Sequence, residues 1–160
     1  MARMPTPEVG AEFTISTEPP GHNCKVSVLN PDEVEPVWKF VLPHLERAAR
    51  YSDGQMEAGD FLPFLINGDM QLWVAVEDHE CLAAMVTQII TYPRKRILRV
   101  IGMGGREMKR WYPYLGMLER FALENGCTEL EGWTKRGLLR LLKDWKVSHM
   151  VIKKEIRRLH

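Results

Sequence analysis

Cysteine is scarce and badly placed for any structural chemistry. Cys24, Cys81 and Cys127 are the only three among 160 residues, and no two stand in a CxxC spacing. A disulfide framework and a cysteine-rich zinc site both lack support, and the thiols are read as small buried apolar groups. No apolar run approaches the roughly 18 residues needed to cross a bilayer. The opening MARMPTPEVG has no apolar stretch of the secretory kind, so a cytoplasmic location without a membrane segment is expected. Internal repeats and low-complexity segments are missing. Ser16, Ser27, Ser52 and Ser148 stand in no nucleophile elbow, which leaves serine-type catalysis without support. Metal-ligating types meet in His22-Asn23-Cys24 and Asp78-His79-Glu80-Cys81, but neither cluster offers three or four converging donors, and no metal is expected.

What the chain does have is the balance of a globular domain: 45% hydrophobic and 27% charged residues, enough to bury one sizeable core. Its net charge of +1 conceals a division. Residues 1–81 carry 5 basic against 14 acidic side chains, a balance of −9, and residues 82–160 carry 17 against 7, a balance of +10. Such a division either seats an anionic ligand on the basic half or reflects two faces of one domain attracting each other. The basic tip Pro93-Arg94-Lys95-Arg96, with Arg99, Lys153, Lys154, Arg157 and Arg158, is read as solvated. It lacks the aromatic interleaving of a single-strand binder, so nucleic acid is not an expected partner.

Along the chain, residues 1–25 contain Pro5, Pro7, Gly10, Pro19, Pro20 and Gly21, too many breakers for a helix. They read as an extended arm whose order depends on a protein partner or a second copy of the chain, ahead of a single domain over 26–160. Alternation marks 25–29 (KVSVL) as a strand. Asn30-Pro31-Asp32-Glu33 starts a helix to about residue 51, with Val34, Val37, Trp38, Val41, Leu42 and Leu45 as its buried stripe. A shorter helix over 56–66 stops at Asn67-Gly68. Strands at 71–77, 81–90 and 96–101, joined by short turns, make an antiparallel meander. Gly102-Met103-Gly104-Gly105 then opens into a helix over 108–125. A strand at 128–133 (TELEGW), a helix at 137–145 and a strand at 148–156 (SHMVIKKEI) complete the pattern. The class is α+β: a mixed, mostly antiparallel central sheet with helices on both faces.

That order, the strand-turn-helix RILRVIGMGGREMKRW and the ending WTKRGLLRLLKDWKVSHMVIKKEI resemble the Gcn5-related N-acetyltransferase (GNAT) superfamily, most of all its short divergent members from tailed bacteriophages. The resemblance runs from about Val26 to Ile156. It implies an acetyl-CoA-binding protein that transfers acetyl to an amine of a small molecule or a protein. It implies that the fourth strand, 96–101, parts from the fifth to admit the pantetheine arm, and that the turn Gly102 to Glu107 wraps the pyrophosphate. The cofactor residues implied are Val100, Ile101, Gly102, Met103, Gly104, Gly105, Arg106 and Glu107. Glycines suit such a turn because they let backbone N–H groups approach a phosphate closely, and Arg106, Lys109 and Arg110 would add charge.

One departure accompanies the match: Leu142 stands where many members carry the tyrosine that protonates the leaving thiolate. Glu131, on the fifth strand, is then the one candidate catalytic carboxylate, acting as a general base through water. The alternative reading is a catalytically inactive GNAT-fold structural or interaction protein of a phage particle, docking through its N-terminal arm and located in the virion.

Overall fold

The computed structural model describes residues 24–52, 54–134, 139–140 and 142–158. The arm expected over 1–25 lies almost wholly outside the described residues, as do positions 137, 138 and 141 of the helix expected at 137–145.

Five strands form one sheet in chain order: β1 (Lys25–Val28), β2 (Gln71–Glu77), β3 (Glu80–Thr91), β4 (Arg96–Gly105) and β5 (Glu129–Gly132). The first four pair antiparallel and β5 joins β4 in parallel. Two short turns explain the meander. Asp78 and His79 both take positive φ, 49° and 64°, the conformation of a tight hairpin whose twist matches its strands. At the β3–β4 turn the Tyr92 N–H donates to the Lys95 carbonyl at 2.8 Å.

The first helix begins as the sequence indicates. A single 3-10 turn, Pro31–Glu33, leads into α1 (Val34–Ala49), and the Asn30 N–H donates to a Glu33 carboxylate oxygen at 2.7 Å. The next segment turns once as 3-10, Ala58–Asp60, and continues as α2 (Phe61–Ile66). Beyond β4 the expected single helix is segmented into α3 (Met108–Trp111), a 3-10 turn over Tyr112–Leu115 and α4 (Gly116–Glu124). Pro113 accounts for the interruption, since it has no N–H for the helical ladder and its ring crowds the preceding turn.

Alternation along the central strands divides the core in two. Leu72, Val74, Ala84 and Val86 pack against Val37, Val41 and Leu45 of α1 and against α2. Trp73, Ala75, Ala83, Met85 and Leu98 pack against Met117, Leu118 and Ala122 of α4. Helices therefore cover both faces. On the α4 face the Trp73 indole donates to Thr87 Oγ1 at 2.9 Å and meets the Phe121 ring edge-on at 5.2 Å. Donor and ring are thereby both satisfied in the interior.

The end of the chain departs from expectation. Residues 146–158 form neither strand nor helix and lie exposed, although SHMVIKKEI has the composition of a strand. A strand needs a partner for its backbone groups as well as β-prone side chains, and among the described residues this segment pairs with no strand. Near it, the Trp145 ring stands 4.0 Å from where a Cβ on Gly132 would lie.

Candidate functional site

The site is built where β4 outlasts β5. Their parallel pairing runs from Ile97↔Glu129 to Val100↔Gly132 and stops, while β4 continues to Gly105 beside β3 alone. At the same point the β3–β4 register shifts: Thr87 faces Val100 and Val86 faces Gly102, so Ile101 is the extra residue of a bulge. The bulge puts two consecutive residues on one face. Ile101 packs into the α1 core, and a Cβ on Gly102 would meet Ala48 of α1 and Phe61 of α2. Val100 and Met103 pack into the α4 core. From Ile101 to Gly105 one backbone edge of β4 is thus without a strand neighbour, leaving outward-pointing donors and acceptors along a cleft.

The glycines belong to the strand, not to the turn expected at 102–107. Gly102, Gly104 and Gly105 face Val86, Ala84 and Ala83 of β3. Close packing requires two of them. A Cβ at Gly104 would stand 2.0 Å from the His44 carbonyl oxygen of α1, and one at Gly105 would stand 2.4 Å from the Ala83 Cβ. The turn proper is Arg106-Glu107. Glu107 sits in the left-handed region at φ 56°, and the turn is pinned on both sides: the Arg106 N–H donates to the Leu82 carbonyl, and the Trp111 indole donates to the Arg106 carbonyl, both at 2.8 Å.

The basic side chains of the turn are engaged. Arg106 meets Glu80 at 2.7 Å, and Arg110 bonds to the buried Glu77 carboxylate and lies 3.8 Å from Glu107. Lys109 is exposed. The cleft therefore offers backbone groups more readily than cations.

On the α1 side of the split, side chains of β4, of β5 and of the residues just beyond β3 and β5 meet. Arg99 of β4 donates through Nε to Glu131 of β5 at 2.6 Å and through its terminal nitrogen to the Tyr92 hydroxyl at 3.2 Å. Its guanidinium carbon lies 5.9 Å from the Trp133 ring centre. Burial alone would lower the Arg99 pKa, but the hydrogen bonds and charges of Glu131 and Tyr92 outweigh it and raise the net value. Glu131 is thus beside the split as the sequence indicates, but tied to a cation. Tyr92 and Trp133 were not legible as site residues, and Arg99 was read only as a member of the solvated basic group around 93–96.

His44 is a second feature that sequence reasoning missed. Its ring is buried in α1 beneath the glycine run, with Nε2 2.8 Å from the Cys81 carbonyl. Only an N–H can bond that carbonyl, so the neutral ring carries its proton on Nε2, and the buried Nδ1 has no hydrogen-bond partner. Burial holds its pKa below the ordinary value, against the opposing pull of the Cys81 carbonyl. The thiols of Cys24 and Cys81 are pushed up to about 11 by burial, which keeps them protonated and unreactive at neutral pH. Among the described residues no group of three or more His, Cys, Asp or Glu is placed to hold a metal ion, and no helix is long and apolar enough to cross a membrane.

The backbone is that of the GNAT acetyltransferases. The structure superposes on an aminoglycoside acetyltransferase from an uncultured soil metagenomic sample, solved with sisomicin, with a TM-score of 0.60 at 11% identity over 82% of this chain and 97% of that one. It matches an aminoglycoside N-acetyltransferase in complex with CoA with a TM-score of 0.61 at 14% identity, over 88% of this chain and 99% of the other. A GCN5-related N-acetyltransferase from Ralstonia eutropha gives a TM-score of 0.60 at 17% identity, covering 82% and 98%. No protein-family model and no curated protein matches the chain in sequence.

Proposed function

We propose that this protein binds acetyl-CoA and is an N-acetyltransferase in type, with a small-molecule or protein amine as acceptor. The observation that carries the reading is the parting of β4 from β5 at the Ile101 bulge, on a backbone shared with acetyltransferases, one of them solved with CoA. An extended chain bearing amides fits that cleft, because the free edge of Ile101–Gly105 can bond it as a further strand would. The fit is poorer at the phosphates, where Arg106 and Arg110 are already paired with carboxylates. Backbone N–H groups at the start of α3 and the exposed Lys109 remain to meet them.

When bound, the cofactor supplies an acetyl group activated as a thioester. The protein's own contribution is to hold it in line with an amine and to manage protons. Alignment of reacting groups can carry much of the rate by itself. The side chains facing the α1 side of the split are those an acceptor would meet, and Glu131 could relay a proton from the amine through water only while its second oxygen is free of Arg99. Nothing at Leu142 can return a proton to the leaving sulfur. This chemistry supports slow transfer. It also gives specific support to the second reading, a GNAT-fold protein of a phage particle that holds a ligand or a partner without catalysis, since the one candidate base is ion-paired.

A thermal-shift titration with acetyl-CoA and with CoA tests the proposal, because a ligand that binds only the native state must raise its apparent stability. Stabilisation by acetyl-CoA is expected. A melting curve unmoved at saturating cofactor would overturn the cofactor reading, and binding without acetylation of any amine would favour the non-catalytic one.

A further inference from the structure

Just before β4 and β5 part, their last two residue pairs are Arg99↔Glu131 and Val100↔Gly132. Leu98 and Leu130 pack into the α4 core, so strand alternation turns Arg99 and Glu131 to the other face, at the vertex of the split. Three features of that vertex suit a ligand. Arg99 gives one N–H to Glu131 and one to the Tyr92 hydroxyl, so the other three guanidinium donors, all on its terminal nitrogens, have no partner among the described residues. Glu131 likewise has one oxygen engaged and the other without a partner among those residues. Both side chains are partly open, 25% and 37% exposed, and beside them the Trp133 ring is 62% exposed, its centre 5.9 Å from the guanidinium carbon.

We propose that the acceptor is an α-amino acid, its carboxylate on the terminal fork of Arg99, its amine toward the unpaired oxygen of Glu131 and its side chain against Trp133. This rests on reading the split as an acetyl-CoA site. Charge selects the class. The Arg99–Glu131 pair has no net charge, so it favours neither a polycation nor a simple anion, but its positive and negative members complement a molecule that bears both signs. An arginine fork meets a carboxylate with two parallel bonds, and Glu131 is not displaced because it is held through Nε.

Reach selects it too. With phosphates at the Arg106 turn and the pantetheine arm along Ile101–Gly105, the thioester end comes to Val100 and Gly132, one residue from Arg99. A strand rises about 3.3 Å per residue, so the reacting amine and the bound carboxylate are set about that far apart. That is the span of an α-amino acid. In the transfer the amine, freed of its ammonium proton, bonds through nitrogen to the acetyl carbon as the carbon–sulfur bond breaks with its electron pair to sulfur. The second nitrogen proton passes through water to Glu131, and solvent protonates the thiolate.

Calorimetry on the CoA-loaded protein tests this with L-phenylalanine and L-leucine, each against its decarboxylated counterpart, phenethylamine and isoamylamine. Each amino acid should bind more than about tenfold tighter than the amine that lacks its carboxylate. Arg99→Gln removes the charge and Arg99→Lys keeps it without the planar fork. Both should bring that ratio near one, with the amine still bound. Equal affinities for acid and amine in the parent, no binding of either amino acid, or an unchanged ratio in variants that melt as the parent does would overturn the proposal. A parent whose melting curve ignores both CoA and acetyl-CoA fails at the cofactor instead, which overturns the function proposed above and this inference with it.

Discussion

Substituting alanine at two neighbouring glycines of β4 should have opposite consequences, and the difference can be worked from the geometry. At Gly104 an added Cβ would lie 2.0 Å from the His44 carbonyl oxygen, 3.0 Å from its carbon and 3.3 Å from the Ala48 nitrogen. All three are backbone atoms of α1, so no side chain can swing aside; the helix must move away from the sheet by more than an ångström. α1 is anchored by Val37, Val41 and Leu45, each at most 2% exposed, and shifting it disturbs that packing. Overpacking of this kind costs about 1–3 kcal/mol and sometimes more. For a chain of this size each kcal/mol lowers Tm by roughly 2–4 °C, so Gly104→Ala should melt on the order of 5–10 °C below the parent. At Gly102 the same methyl would make ordinary contacts at 3.5 Å with Ala48 and 3.7 Å with Phe61. Neither position has positive φ, so Gly102→Ala gains slightly from a less flexible unfolded chain, by about 0.4–1 kcal/mol. Thermal and urea melts of the two variants, side by side, are the assay. Equal Tm values for parent and Gly104→Ala would show that α1 does not press on β4, and the account of why glycine stands there would fail.

Other substitutions and conditions read different parts of the structure. If bound phosphates recruit Arg106, that arginine must leave Glu80, so Glu80→Gln should tighten acetyl-CoA binding by calorimetry; unchanged affinity would mean that the phosphates are held by backbone N–H groups alone. Stability should fall with acid. The folded-state pKa of His44 is depressed below its ordinary 6.5, so its contribution is fully present above that value and is lost as pH falls through the lower folded one, and His44→Gln should flatten the acid side of a stability–pH profile. At the alkaline end the sign is opposite: Cys24 and Cys81 are raised from 9.0 to about 11, so their contribution is present below pH 9 and is lost as pH climbs toward 11. Trp73→Phe keeps the ring contact with Phe121 but leaves the buried Thr87 hydroxyl without its indole donor, which should cost about 1–3 kcal/mol in a denaturant melt.

The sheet and its order were legible because alternation and turn residues are local signals. Val37, Val41 and Leu45 announced the buried face of α1, and QLWVAVE marked β2 to its last residue. The glycine run misled for a physical reason. Glycine in a strand and glycine in a phosphate turn look alike in sequence, and only the approach of His44 and Ala83 in space reveals that packing excludes a side chain. The Arg99–Glu131 pair was hidden likewise, since its members lie 32 residues apart and meet only through the parallel β4–β5 register. Residues 148–156 failed as a predicted strand for the reason that strands always can: composition does not supply a neighbour.

The division of charge between the two halves of the sequence left open whether the basic half waits for an anion or simply attracts the acidic one. The pairs that form decide much of this. Arg106 and Arg110 of the basic half are taken by Glu80 and Glu77 of the acidic half, across the start of β3 and the turn into α3. Lys95 and Arg99 are taken by Glu129 and Glu131 within the basic half itself. The cations beside the cleft are therefore largely committed to holding strands and helices in register. The basic residues of the exposed tail, Lys154, Arg157 and Arg158, lie outside these pairs. A cofactor entering the cleft must therefore rely on backbone groups or compete with Glu80 for Arg106.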